Sequence, residues 1–451
     1  MTSLQPSRIA IVGAGFTGLS AAYELARLGH SVTLIEQDEV LGGLAAGFKV
    51  GEVYLERFYH HWFSNDLHVI ALIEELGLSD HVVLRPSRTG MFYANQIFRL
   101  SRPLDLLRFT PLSLINRIRL GLLVFQVRAV RDWRKLEPLT AREWLIKICG
   151  REVYRVVWEP LLVGKFGRYA DRISAVWFWK KLALRGGSRA SDGREVLAYY
   201  RGGFAALADA IGAHLRKAGV DIRTGTRVTS VQRNGDRATG VVTDRGAIAA
   251  DAVLITTAPQ IAADILEADS GAGAPMDAAF LASLRRVDYL ANLCLILILD
   301  RSLSDTYWLN VNDPTFPFVG IIEHTNLEPA SSYAGRHIVY LSRYLPADDP
   351  LYQMSDSAVL DYALPHLQRM FPHFHREWIV GRHVWRADYA QPIAETNYSR
   401  ILPARKTPLR NLLLSNMAQV YPEDRGTNYA IREGRDIAGE LHQIASSEAL
   451  N

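Results

Sequence analysis

The stretch that most constrains this chain is its beginning, where an apolar run, a glycine-rich turn and a helical pattern succeed one another without a gap. Ile9-Ala10-Ile11-Val12 reads as a short strand buried on both faces. Gly13-Ala14-Gly15-Phe16-Thr17-Gly18 comes directly after it. From Leu19 to Leu28, the apolar positions Leu19, Ala22, Leu25 and Ala26 share one helical face, and Gly29 ends the pattern. Ser31 to Ile35 is a second strand, stopping at Glu36. Each glycine has its own task. Gly13 allows the tight turn, Gly15 lets backbone approach a pyrophosphate, and Gly18 lets the helix pack against the strand. Phe16 and Thr17 open the helix, whose free N–H groups and positive dipole end suit phosphate. Glu36, with Gln37 beside it, is placed to accept ribose hydroxyls. The unit binds a dinucleotide, and both nicotinamide and flavin dinucleotides use it.

The residues after Glu36 separate the two. Gly42-Gly43-Leu44 comes six residues later, with Gly51 a little beyond. A second Gly-Gly just after the ribose-binding acid resembles the superfamily of FAD-dependent amine oxidases, protoporphyrinogen oxidases and phytoene desaturases. There the pair lets the chain pass close to FAD. The resemblance implies non-covalent FAD, with Gly43 and Leu44 against it.

A length of 451 residues implies two or three domains, and 49% hydrophobic with 22% charged residues is ordinary for a water-soluble enzyme. Two cysteines, Cys149 and Cys294, exclude a disulfide framework and give no metal-site spacing. A reducing cytoplasm is expected. Met1 to Arg8 lacks the apolar core of a signal sequence, and no run of 18 apolar residues is present.

The organisation reads as interleaved. Residues 8 to 80 alternate strand and helix. Residues 100 to 185 look helical, with Thr140 and Glu143 a capping box and with Trp133, Trp144, Trp158, Trp177 and Trp179 concentrated there. The nucleotide-binding style then returns. Gly202-Gly203-Phe204 leads into a helix ending at Lys217, and Asn234-Gly235 marks a hairpin. A buried strand from Asp251 to Thr256 ends at Thr257-Ala258-Pro259. Leu293 to Leu299 and His337 to Leu341 are expected strands, and Asp356 to Met370 a helix. Asn411 to Leu414 is a last strand, with Ser415-Asn416 at its end, and Gly426-Thr427-Asn428 opens a final helix. The expected fold is α/β: a Rossmann-type FAD-binding domain (parallel sheet plus β-meander) made of 1–95, 196–265 and 396–451. It is interleaved with a helical subdomain, 96–195, and a substrate domain of mixed sheet, 266–395.

By the same resemblance, Val228 backbone meets the adenine end of FAD and Thr257 lies near the dinucleotide. Asn416 stands where family members carry an acid after a glycine, and still offers a hydrogen bond to a ribityl hydroxyl. Thr427 and Asn428 begin the helix that points its N-terminus at the flavin. The stretch from Leu55 to Asn65 is brought beside the isoalloxazine. It also resembles UDP-galactopyranose mutases, whose His-x-Phe lies near the flavin, as His61-x-Phe63 does here. His61, and secondarily His60, are therefore expected to move a proton or bond the flavin. Tyr421 and Arg425 precede the last helix and complete the expected catalytic set. Glu423 and Asp424 are candidate bases or partners of Arg425, and Arg386, Tyr389 and Glu395 are weaker candidates.

Basic residues cluster from Arg99 to Lys135, where Arg99, Arg102, Arg108, Arg117, Arg119, Arg128, Arg131 and Arg134 interleave with apolar positions. Such a segment is either a helical subdomain with a solvated rim or a peripheral contact with an anionic membrane face. Nothing resembles a nucleic-acid module. The expected function is an FAD-dependent oxidoreductase moving hydride between flavin N5 and a bulky apolar substrate of isoprenoid, polyprenyl or tetrapyrrole type. Two alternatives stand beside it: a non-redox flavin enzyme such as a UDP-sugar mutase, and a prenyl-binding protein on the same fold.

Overall fold

Strand β1 (Arg8–Val12) sits in the middle of a five-stranded parallel sheet with β2 (Ser31–Ile35), β3 (Asp221–Arg223), β4 (Ala252–Ile255) and β5 (Leu412–Leu414), in the order β3-β2-β1-β4-β5. The computed structural model describes residues 6–51, 53–99, 103–186, 195–268 and 276–448; Arg102 of the basic cluster lies outside them. The unbroken apolar run of β1 has a direct cause. Ile9 and Ile11 enter one core, while Ala10 and Val12 enter another on the opposite face.

The first core is closed by helices α1 (Phe16–Arg27), α2 (Gly203–Lys217) and α3 (Thr427–Glu448). α1 and α3 cross at Gly434, where an added Cβ would stand 2.0 Å from Ser20 Oγ and 2.3 Å from Thr17 O. Their backbones therefore meet without an intervening side chain. The second core lies under an antiparallel meander (Val228–Asn234, Arg237–Thr243, Gly246–Ala249) and the helix Pro259–Glu267. α3 starts where expected and runs to Glu448.

A seven-stranded sheet forms the second layer. In spatial order its strands are 379–392, 289–299, 337–345, 320–323, 308–311, 89–93 and 96–99. The hairpin of Thr89–Tyr93 with Gln96–Arg99 joins this sheet by parallel pairing of 89–93 with 308–311. The expected boundary at residue 95 thus falls inside one hairpin. Ile379–Pro392 is a single 14-residue strand that the sequence does not announce, because most of its positions are half-buried and show no alternation.

Residues 103–186 are mostly helical around a core that also takes in Met91, Leu290, Ile393 and Tyr398. Thr140 Oγ1 accepts from Glu143 N, and Glu143 returns a bond to Thr140 N, so the expected capping box is present. The tryptophans pack between elements. Trp144 and Trp177 are buried, Trp158 meets Phe178 edge-on, and Trp133 meets Tyr421. Among the described residues no helix is long and apolar enough to cross a membrane.

Candidate functional site

A cavity of about 460 Å³ opens at the C-terminal ends of β1, β2, β4 and β5, where parallel α/β sheets place their ligands. Its floor is the glycine turn. Gly13 N donates to Ile35 O (2.8 Å) and Gly42 N to Ala14 O (2.9 Å), so the two glycine segments lie side by side. Thr256 Oγ1 donates to Val12 O and ties β4 to the same turn. Gly13 has φ +100°, and a Cβ there would meet Thr256 Oγ1 at 2.7 Å. A Cβ on Gly43 would come within 3.1 Å of Gly15 Cα. This floor therefore admits backbone and little else.

One end of the cavity holds Glu36, Gln37, Thr226, Arg227 and Val228. Glu36 accepts from Ala14 N (2.8 Å) and Asp38 N (2.9 Å), which fix the carboxylate while leaving lone pairs for hydroxyls. Burial raises its pKa against those two bonds. The middle is lined by Gly13, Gly15, Phe16, Thr17, Gly43, Leu44 and Thr257. Gly15 is the N-cap of α1 and offers no side-chain cap, so the helix's first N–H groups are left without a competing side-chain acceptor beside the cavity. The other end holds His60, Tyr289, Tyr389, Pro392, Asn416, Arg425 and Thr427.

Four expected residues stand elsewhere. His61 is turned away from the cavity: its Nδ1 pairs with Tyr307 OH at 2.9 Å, among the rings of Phe63, Tyr307 and Trp308. Burial lowers its pKa to about 3. Tyr421 donates its hydroxyl to Glu137 (3.0 Å) and packs on Trp133 and Tyr398 in the helical core. Asn428 Oδ1 accepts from His68 N and Val69 N, capping the helix Leu67–Glu75. Gly18 lies beneath the turn, where a Cβ would stand 1.9 Å from Gly13 O, and so has the packing role expected of it without lining the cavity. Of the further candidates, Glu423 pairs with Lys180 and Arg432, and Asp424 with Lys181, so neither makes an ion pair with Arg425. Arg386 bonds Asp356 and Glu395 pairs with Arg172. Both cysteines are buried away from the cavity, and burial pushes the Cys149 thiol up to about 11.

His60, the weaker of the two histidines on sequence grounds, is the one lining the cavity. Its Nδ1 bonds Phe58 O, which makes Nδ1 the protonated nitrogen and leaves Nε2 as a free acceptor. Burial lowers its pKa to about 4, only partly offset by that bond. Tyr289, Ala387 and Asp388 also line the cavity without any signal in the sequence, and they arrive from the two longest strands of the mixed sheet.

The residues fit a flavin dinucleotide. The glycine floor is a cradle that side chains would fill. Asn416 has its Oδ1 engaged by Ala418 N, while its Nδ2 is buried with no partner at the cavity wall. A buried donor left free is costly unless a ligand satisfies it.

A family model described as flavin containing amine oxidoreductase matches residues 16–442. The chain is similar to a chloroplastic/chromoplastic 15-cis-phytoene desaturase from an Oncidium hybrid cultivar. The two are 24% identical over 476 residues, covering 97% of this chain and 77% of that enzyme. Among solved structures it resembles a protein provisionally assigned as protoporphyrinogen oxidase from Exiguobacterium sp. 255-15. The TM-score is 0.76 at 19% identity, covering 98% of this chain and 99% of that one. Reduced UDP-galactopyranose mutase is similar at TM-score 0.74 and 15% identity, covering 98% and 94%. At such identities the structural likeness speaks for the fold.

Proposed function

The chain belongs to the flavin containing amine oxidoreductase family and is an FAD-dependent oxidoreductase; from that premise we propose that it transfers hydride between flavin and a C–H bond of a substrate with a bulky apolar body. The observation that carries this reading is the cavity end opposite Glu36. Leu44, Tyr289, Tyr389 and Pro392 make apolar walls there, and His60 and Arg425 are the polar groups among them. The similarity to a phytoene desaturase over nearly the whole chain supports an isoprenoid-like body.

Gly13, Gly15, Phe16, Thr17 and Gly43 would hold the pyrophosphate, Glu36 and Gln37 the adenosine ribose, and Val228 the adenine end. Leu44, Thr257, Asn416 and Thr427 would hold the flavin half. Bound FAD supplies a two-electron acceptor or donor. The chain supplies the rest. The N-terminus of α3, which begins at Thr427 in the cavity wall, favours negative charge at its end of the cavity. His60 Nε2 accepts a proton from substrate or solvent, and the apolar walls exclude water.

A sugar-nucleotide mutase would call for paired arginines at a diphosphate. Only Arg227 and Arg425 line the described cavity, and they stand with residues of its opposite ends. The redox reading is therefore preferred. Its test is anaerobic mixing of the flavin-loaded protein with isoprenoid and tetrapyrrole compounds while following the visible spectrum. Bleaching of oxidised flavin, or reoxidation of reduced flavin, with altered product supports the reading. Isomerisation of a UDP-sugar by reduced enzyme, with none of these compounds reacting, would replace it with the mutase.

A further inference from the structure

We propose that the recess beyond His60 receives an oxyanion carried by the substrate, with Arg425 as its counter-charge and Lys165 reinforcing it. The inference rests on the oxidoreductase reading above and names a feature of its substrate. The recess holds about 40 Å³, meets the main cavity at Leu44, His60 and Arg425, and is completed by residues that include Tyr59 and Tyr344. Arg425 donates Nη2 to Tyr344 OH (2.8 Å), while its Nε is buried without a partner. Asp424, next in the chain, acts on it through space but makes no ion pair with it, because that carboxylate takes Lys181, Trp177 Nε1 (2.8 Å) and Gln391 Nε2 (3.3 Å).

Lys165 lies across the same tyrosine. Its Nζ is 5.0 Å from the Tyr344 ring centroid, and Arg425 Cζ is 5.9 Å from it. Phe166 and Trp177 stand 5.3 and 4.8 Å from that Nζ. Among the described residues neither Lys165 nor Arg425 has an ion pair. Lys165, Lys181 and Arg425 thus all act on the one carboxylate of Asp424, which Lys181 alone contacts as an ion pair, so basic groups outnumber the acid here. Burial draws the Lys165 pKa down, with Asp424 only partly restoring it, and a bound oxyanion would restore more. A guanidinium at the recess with no ion pair, and with a further basic side chain behind Tyr344, is electrostatically complementary to a carboxylate or phosphate.

The test is titration of the FAD-loaded protein with benzoate, phenyl phosphate, benzamide and benzylamine, read as perturbation of the flavin spectrum. One or both oxyanions should bind roughly tenfold or more tighter than the amide and amine. The better of the two names carboxylate or phosphate. Arg425→Met should weaken that binding by about tenfold or more and Lys165→Met by several-fold, with flavin content retained. Equal binding of benzamide, or no perturbation by either oxyanion, overturns the proposal on the native protein, whatever the variants do. Oxyanion binding without turnover of any isoprenoid or tetrapyrrole would retain the recess and reject the redox reading instead.

A separate observation concerns the helix Leu114–Ala129, and from it we infer a docking surface for an anionic lipid bilayer. Asn116, Leu123 and Val127 face the helical core. On another face Leu114 (61% exposed), Ile115 (60%), Ile118 (52%), Leu122 (50%) and Phe125 (66%) form a continuous uncovered row. Single exposed apolar residues are ordinary, but a row of five is not. Residues 103–135 carry seven Lys or Arg against Asp105 and Asp132. Arg117 spends its guanidinium on the carbonyls of Leu107 and Leu112 rather than on an acid. A second copy would bring like charge to like charge, whereas anionic lipid headgroups complement it.

Flotation of the flavin-loaded protein should succeed with phosphatidylcholine–phosphatidylglycerol vesicles at low salt and weaken at high salt or with phosphatidylcholine alone. Ile118→Glu and Phe125→Glu should abolish it with flavin content unchanged. Absence of flotation with the anionic vesicles overturns the inference. So does sedimentation showing a dimer that Phe125→Glu converts to monomer, which would make the face a self-interface.

Discussion

His61 Nδ1 and the Tyr307 hydroxyl lie 2.9 Å apart in a buried aromatic cluster, with His60 on the other side of the chain facing the cavity. His61 is neutral at physiological pH, since burial lowers its pKa to about 3. His61→Ala should therefore act through packing and an unsatisfied tyrosine, costing about 2–4 kcal/mol in urea unfolding. Turnover per flavin-loaded molecule should be unchanged. His60→Ala should keep flavin and lower turnover by roughly 10²-fold or more, because the free Nε2 acceptor is removed. The reverse pattern in steady-state kinetics would return proton handling to His61.

A Cβ on Gly18 would sit 1.9 Å from Gly13 O, whereas one on Gly15 would meet nothing closer than Gly43 Cα at 4.0 Å. The two positions should fail differently. Gly15→Glu should fold as apoprotein with its melting temperature intact and take up no FAD, since the side chain enters the pyrophosphate path. Gly18→Ala should lower the melting temperature of the apoprotein itself, by overpacking worth about 1–3 kcal/mol. Flavin-to-protein ratio and a thermal melt, each with and without added FAD, separate them. A Gly15→Glu protein with normal flavin content would refute the placement of the pyrophosphate.

Features encoded locally were legible in the chain. The glycine turn, Glu36, the Thr140–Glu143 box and the start of α3 each depend on residues a few positions apart. What escaped depends on distant partners. Adjacent side chains in an extended stretch point opposite ways, so His60 and His61 were bound to diverge. Which of them faces the cavity is set by Phe58 O and by Tyr307, 246 residues from His61. Tyr421 is drawn into the helical core by Glu137, and Asn428 to a helix start 360 residues away. Lys165 carries no sequence signal at all, because what brings it near Arg425 is the fold, which sets both beside Tyr344 and Asp424. The tryptophans concentrated in the helical segment pack between elements and do not line the cavity.

The buried histidines make stability depend on pH. Burial lowers His60 to about 4, and His61 and His324 to about 3, from 6.5. Their folded pKa values lie below the unfolded ones, so the unfolded chain takes up protons first as pH falls. The stability they contribute is complete above 6.5 and is lost progressively toward pH 4. Asp66, raised by burial to about 6, works the other way, as does the buried Glu56. The three imidazoles together account for a loss on the order of a few kcal/mol between neutrality and about pH 5, which the raised carboxyls, Glu36 and Glu323 among them, partly offset. The urea midpoint of the flavin-loaded protein should fall accordingly. A midpoint equal or higher at the acid end would show that these rings are protonated inside the fold.

Asn428 tests whether a residue beside the cofactor helix touches the cofactor. Its Oδ1 accepts from His68 N (2.9 Å) and Val69 N (3.1 Å), which are otherwise unsatisfied donors at a helix start. Thr427, one residue earlier, lines the cavity and accepts from Trp62 Nε1 at 2.6 Å. Asn428→Ala should thus lose a cap, costing about 1–2 kcal/mol, with FAD affinity unchanged. Asn428→Asp, which keeps an acceptor for both N–H groups, should recover most of that loss. Thr427→Val should lower FAD affinity at a smaller cost in stability, because its hydroxyl stands between the indole and the cavity. If Asn428→Ala instead released flavin at an unaltered melting temperature, its amide would belong to the cofactor site and the cap would be incidental.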